Sequence, residues 1–179
     1  MTANNNTTQD FTYSRTFDAP RELVWKVYTT LEHLSKWWGP TGFAWLSGTL
    51  DFRPGGIFHY GMRGPTGQEM WGKFNYREIS APDRIVFTNS FSDKDGKTVR
   101  APFAADWPLE VLNTVTFTEE NGRTTVSLRG RPFNATAEEN ARFDAMKPSM
   151  TQGFGGTFDQ LEQYLAKLEG GGRDKETRR

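Results

Sequence analysis

Between residues 43 and 131 the chain reads as strand after strand, each closed by a turn rich in Gly, Pro, Asn or Asp. Residues 43–52 end at Arg53-Pro54-Gly55-Gly56, and 57–63 end at Gly64-Pro65-Thr66-Gly67. Residues 68–79 end at Ala81-Pro82-Asp83, and 84–92 run into the charged loop 93–97. Residues 107–118 and 123–129 flank Glu119-Glu120-Asn121-Gly122, an Asn-Gly hairpin signal. Consecutive strands joined by short turns favour an antiparallel meander. A meander has one face to bury, and the flanking segments supply the cover. Phe11, Tyr13, Arg15 and Phe17 alternate as a first strand. Asp18-Ala19-Pro20 then starts a helix whose apolar stripe is Leu23, Val24, Val27, Tyr28 and Leu31. A second short helix around Leu34 stops at Gly39-Pro40.

The C-terminal part is helical. Thr136 and Glu139 have capping-box spacing. Pro148 predicts a break or kink. Beyond it Met150, Phe154, Thr157/Phe158, Leu161, Leu165 and Leu168 fall at three- and four-residue steps, one apolar face of a long helix. The expected fold is α+β: a curved antiparallel sheet of six to seven strands wrapped around that helix, with two short helices after the first strand. The domain spans residues 10–169, between a polar, disordered segment 1–9 and a flexible charged tail 170–179 that starts with a glycine break.

Composition excludes several chemistries. With no cysteine there is no disulfide, thiolate metal site or cysteine nucleophile. Twenty-two basic against 22 acidic residues give a net charge of zero, which removes the electrostatic case for nucleic acid. No apolar run is long enough to span a bilayer and the first residues do not read as a signal peptide, so a cytoplasmic protein is expected. Two separated histidines, His33 and His59, make a poor metal site, and both are expected at the surface. No nucleophile elbow, zinc-protease, phosphate-loop or dinucleotide motif occurs, and neither metal nor cofactor is expected. Aromatic residues, in contrast, reach 14% of the chain. Such rings bury much area each, either packed on one another or lining a space.

Several words occur in an order that resembles the START-like superfamily, also called SRPBCC. They are Phe17-Asp18-Ala19-Pro20, Val24-Trp25, Trp37-Trp38-Gly39-Pro40, and Asp51-Phe52-Arg53-Pro54-Gly55-Gly56 with Phe58-x-Tyr60-x-Met62. Pro82-Asp83-Arg84-Ile85-Val86-Phe87 and Ser149-Met150-x-x-Gly153-x-x-Gly156-x-x-Asp159-Gln160-Leu161 follow. Within that superfamily the words are most similar to the Aha-type family, named after the activator of the ninety-kilodalton heat-shock protein ATPase. The resemblance covers residues 11–168 and implies a helix-grip fold with a pocket under the last helix. Members include lipid carriers, polyketide cyclases and single-domain bacterial proteins, so it implies function only broadly. A chaperone partner is one implication, although the resemblance covers no separate chaperone-binding domain.

The pocket candidates follow from strand alternation. Phe58, Tyr60 and Met62 share the face toward the helix. On the next strand either Trp71 or its neighbour Met70 faces in. Phe87 and Phe91 share a face, as do Leu109, Val111, Val115 and Phe117. Met150 and Phe154 look down from the helix, and Trp38, Phe43 and Trp107 are placed at the mouth. This set suits a small apolar, planar molecule, bound or carried, with Tyr60, Asn89 or Asn113 fixing its orientation. The alternative reading is mutual packing of the same side chains. A cyclase- or hydrolase-type enzyme is a further alternative, using Glu69, Asp106 or Glu110 as a buried acid or base. A co-chaperone-like surface is a third. Gly153, Gly155 and Gly156 inside the last helix each cost about 0.8–1.0 kcal/mol relative to Ala; close packing or room for a ligand is what offsets them.

Overall fold

The computed structural model describes residues 10–177, with side chains described through residue 169. Seven strands form one antiparallel sheet: β1 (Phe11–Phe17), β2 (Ala44–Leu50), β3 (Ile57–Arg63), β4 (Glu69–Ser80), β5 (Arg84–Ser92), β6 (Glu110–Glu120) and β7 (Arg123–Phe133). Their spatial order is β1-β7-β6-β5-β4-β3-β2, so the meander β2 to β7 is completed by β1 pairing with β7. Asn121 and Gly122 both have positive φ, as the two-residue hairpin joining β6 to β7 requires.

Helices α1 (Arg21–Thr29) and α2 (Leu31–Trp37) fill the connection from β1 to β2. Pro20 is the residue before α1, and its carbonyl accepts from Leu23 and Val24 at 3.1 Å. The α1 stripe buries Val24, Val27 and Tyr28. Trp37 is buried beside it, its indole N–H donating to the Val27 carbonyl at 3.0 Å. Thr136 and Glu139 form the capping box of α3 (Ala137–Ala145), with both reciprocal bonds made. The break at Pro148 is a short interruption at Met146, after which α4 (Lys147–Thr177) takes the proline in its first turn, where a missing N–H is tolerated. α4 lays Phe158, Leu161 and Leu165 on the sheet. Phe158 meets Tyr13 and Phe17 of β1 at ring distances of 5.4 and 5.8 Å.

Segment 1–9 and the last two residues lie outside the described residues. The glycine break expected at 170 does not end the helix, which continues to Thr177. Glycine weakens a helix without forbidding it, and here it extends a helix already nucleated by more than 20 residues. No helix among the described residues is long and apolar enough to cross a membrane.

Candidate functional site: a cavity between the sheet and the last helix

The register of β3, β4 and β5 decides which side chains share a face. Phe58, Tyr60 and Met62 pair with Phe74, Gly72 and Met70, and these continue to Asn89 and Phe91 on β5. All of them lie on the face that α4 covers. Between that face and α4 is a cavity of about 240 Å³. Tyr60, Met62, Met70 and Phe74 line it from β3 and β4, and Phe87, Asn89 and Phe91 from β5. Asn113 and Leu128 close it from β6 and β7, and Met150, Gly153, Phe154 and Thr157 from α4. Tyr28, Trp38, Gly39 and Pro40 complete the wall.

The turn carrying Trp38 is clamped by α4. Gln160 Nε2 donates to the Gly39 carbonyl at 2.5 Å, and Thr157 Oγ1 donates to the same carbonyl at 3.1 Å. Gly39 has φ of 119°, and a Cβ there would sit 2.3 Å from Met62 Sδ, so backbone and thioether pack closely where only glycine fits. Trp38 then stands edge-on to Phe74 at 5.2 Å and to Tyr60 at 5.9 Å.

Of the residues expected to surround a ligand, the structure brings together Trp38, Tyr60, Met62, Phe87, Phe91, Met150 and Phe154. Four lie elsewhere. Phe58 is fully buried, packed among Trp38, Trp45, Tyr60 and Phe74, and forms the core behind the wall. Phe43 sits in the turn before β2 and packs on the core. Trp71 is on the opposite face, stacked on His59 at 5.3 Å, and the residue facing in is Met70. Trp107 lies outside the strands and packs on Phe103 and Phe143, each at 5.6 Å. Leu109 precedes β6 and is exposed. The wall residues missed were Tyr28, Phe74, Leu128, Thr157 and the turn at 39–40. Phe74 had a signal, since Phe74 and Tyr76 alternate with Lys73, Asn75 and Arg77. That parity also selects Met70 over Trp71.

No Asp, Glu, Lys, Arg or His lines the cavity. Glu69 is exposed beside Arg63, and Asp106 pairs with Arg142 at 2.9 Å, which holds its carboxyl below the usual range. Neither these nor Glu110 reaches the wall. The titratable wall groups are Tyr28 and Tyr60, both pushed up by burial, Tyr60 to about 12. The nearby Trp38 N–H opposes that rise, yet it completes no well-formed hydrogen bond and remains without a partner. Asn113 Nδ2 donates to Asn89 Oδ1 at 2.9 Å and to the Val111 carbonyl at 3.2 Å.

The histidines are less exposed than expected. His33 shares a 2.6 Å hydrogen bond with the Tyr164 hydroxyl, and His59 Nε2 lies 3.2 Å from the Asp93 carbonyl. Among the described residues no group of three or more His, Cys, Asp or Glu could hold a metal ion. A polar groove on the outer face is lined by Arg84, Arg129 and Arg131 with Ser and Thr. Those cations are paired with Glu78 and Asp10, and Tyr13 and Leu128 are the groove's only aromatic and aliphatic lining residues.

A curved antiparallel sheet closed on a long C-terminal helix, with a cavity between them, defines a helix-grip protein of the START-like class. Within that class the chain belongs to the family described as Activator of Hsp90 ATPase homolog 1-like protein, whose model matches residues 18–166. It is similar to protein Ms6760 from Mycobacterium smegmatis, with 28% identity, a TM-score of 0.72, and 91% of this chain and 94% of that one covered. A protein from Arthrobacter aurescens gives 25% identity and a TM-score of 0.73, covering 92% and 90%. The AHSA1 protein SPO3351 from Silicibacter pomeroyi, at 21% identity and a TM-score of 0.66 over 89% and 99%, shares the fold. No curated protein matches the chain.

Proposed function

We propose that the protein binds or carries a small, planar, largely apolar molecule in the cavity between the sheet and α4. The observation that carries this reading is the wall itself: about 240 Å³ bounded by rings and by Met62, Met70 and Met150 with no ionic group. A cavity of about 150 Å³ holds benzene, so this one suits a molecule of one to two rings. Methionines adapt to an irregular outline at little cost. An acid–base role for Glu69, Asp106 or Glu110 finds no support, because all three lie outside the wall.

Replacing Met150 by Trp tests the reading. The ring should occupy the cavity, weaken binding of a planar fluorescent dye at least tenfold, and leave the denaturation midpoint nearly unchanged. In a filled core the same change is overpacking and costs about 1–3 kcal/mol. A stable variant that binds dye as well as the parent would overturn the placement of the site.

A second reading, contact with a chaperone, draws on Phe103 and Leu109, which are 53% and 39% exposed on one segment. Stimulation of a purified Hsp90 ATPase by this chain, lost on Phe103→Ser, would favour it.

A further inference from the structure

The cavity wall carries hydrogen-bond donors that make no well-formed bond within the protein. The Trp38 indole N–H is buried and makes no well-formed hydrogen bond, although the Tyr60 hydroxyl lies near enough to feel it, and an indole can only donate. A second donor follows from the two asparagines. Asn113 Nδ2 faces the Val111 carbonyl, so turning that amide over would set two oxygens against each other. With Asn113 fixed, Asn89 must present Oδ1 to it, since the other orientation sets two amide nitrogens together. Asn89 Nδ2 is therefore directed away from Asn113, and it makes no hydrogen bond among the described residues.

Both donors border one ring. Trp38 stands edge-on to Phe74 at 5.2 Å, and Asn89 is the β5 register partner of Phe74. Tyr60 and Asn89 together line a narrow adjoining space of about 40 Å³, enough for one or a few polar atoms. With no cation in the wall, a carboxylate would lose its hydration without gaining a counter-charge. An ammonium would likewise find no counter-charge, since no Asp or Glu lines the wall.

We propose, building on the binding reading above, that the ligand is an uncharged aromatic ketone or quinone-like molecule. Its carbonyl oxygen accepts from Trp38 Nε1 and Asn89 Nδ2 beside Phe74, and its rings extend toward Met150 and Phe154. Buried donors left unpaired by the wrong ligand discriminate more strongly than added apolar contact does.

The test uses three probes on one naphthalene frame with the full chain: 2-acetylnaphthalene, the similarly shaped hydrocarbon 2-isopropenylnaphthalene, and 2-naphthoate. Affinities come from tryptophan quenching and calorimetry. The ketone should bind about tenfold tighter than the hydrocarbon, about 1.4 kcal/mol, and the carboxylate should bind most weakly. In Trp38→Phe and in Asn89→Leu the advantage of ketone over hydrocarbon should shrink to about threefold or less. That ratio is taken within one protein, so a general loosening lowers both probes alike. The carbonyl stretch of the bound ketone should move to lower frequency in the parent. A hydrocarbon that binds the parent as tightly as the ketone, or a carboxylate that binds best, overturns this proposal and leaves the cavity reading standing. If none of the three binds, the cavity reading itself fails, and the donor assignment fails with it.

Discussion

The three glycines of α4 are expected to respond differently to the same methyl group. A helical Gly→Ala change gains about 0.8–1.0 kcal/mol when the new Cβ finds space. A Cβ at Gly153 meets nothing within 4 Å, and the residue sits on the rim of the cavity. Gly153→Ala should therefore stabilise by nearly the full amount, raising the melting temperature by about 2–4 °C for a chain of this size. A Cβ at Gly155 lies 3.5 Å from the Tyr13 hydroxyl, an ordinary contact, so Gly155→Ala should gain similarly. At Gly156 it would lie 2.6 Å from Thr41 Oγ1, while Thr41 Cβ is at 3.6 Å. The hydroxyl must turn away, and the gain should shrink to about zero or become a loss of up to about 1 kcal/mol. Chemical denaturation with unchanged m-values reads all three. Only Gly153→Ala should also alter dye affinity, because Gly153 alone of the three faces the cavity. A destabilised Gly153→Ala would show that the rim is closed. A Gly155→Ala variant with the same binding defect would show that the wall is misassigned.

These glycines illustrate what could be read before folding. Their excess cost was visible, but its two settings, close approach at Gly156 and open space at Gly153, depend on residues far away in sequence, such as Thr41 and Phe74. Elements were legible because each carries its own signal. Thr136 and Glu139 cap α3, and Asn121-Gly122 closes β6 on β7. The inward face of β3 was equally local: Phe58, Tyr60 and Met62 are all buried. Across β4 the reading faltered because Met70 and Trp71 are adjacent and both apolar. The pattern leaves the choice between them open, and Gly61 opposite Trp71 decides it by giving that ring a seat on the outer face. Trp107 failed for a different reason. Pro108 follows it, β6 starts only at Glu110, and its real partner, Phe143, belongs to a helix 36 residues on. The sequence reading put Phe58 in the wall with Tyr60; in the fold Trp38 and Tyr60 cover it. A cavity is a property of what does not touch, and no strand periodicity encodes that.

The alkaline limb of stability should follow the buried tyrosines. Tyr60 is raised from 10.0 to about 12, so its contribution is intact below about pH 10 and lost as pH rises toward 12, about 3 kcal/mol in all. Tyr28 and Tyr76 are raised in the same direction, so Tyr60→Phe should flatten the slope without abolishing it; a parent flat across that window would refute the assignment. Glu139 is held below its ordinary value, first by the Thr136 backbone N–H and then by Arg100. Its contribution is present above about pH 4.5 and lost on acidification, so Glu139→Gln, which can keep a capping side chain, should cost no more than about 1 kcal/mol at neutral pH and reduce the acid slope. An acid slope identical to the parent's would show that the Arg100 contact at 2.8 Å carries nothing. The last pair tests the two faces of β4 directly. Trp71 stacks on His59 and covers Gly61, away from the cavity, whereas Met70 lines it. Trp71→Ala should lower stability by about 1–3 kcal/mol through lost ring burial on a half-covered face, and leave dye affinity within about twofold. Met70→Ala should enlarge the cavity, cost about 1–2 kcal/mol, less than in a filled core because one side of the thioether already faces empty space, and shift preference toward larger dyes. If Trp71→Ala abolishes binding while Met70→Ala leaves the preference unchanged, the register placing Gly72 opposite Tyr60 is wrong by one residue, and every side chain assigned to the wall from β4 changes face with it.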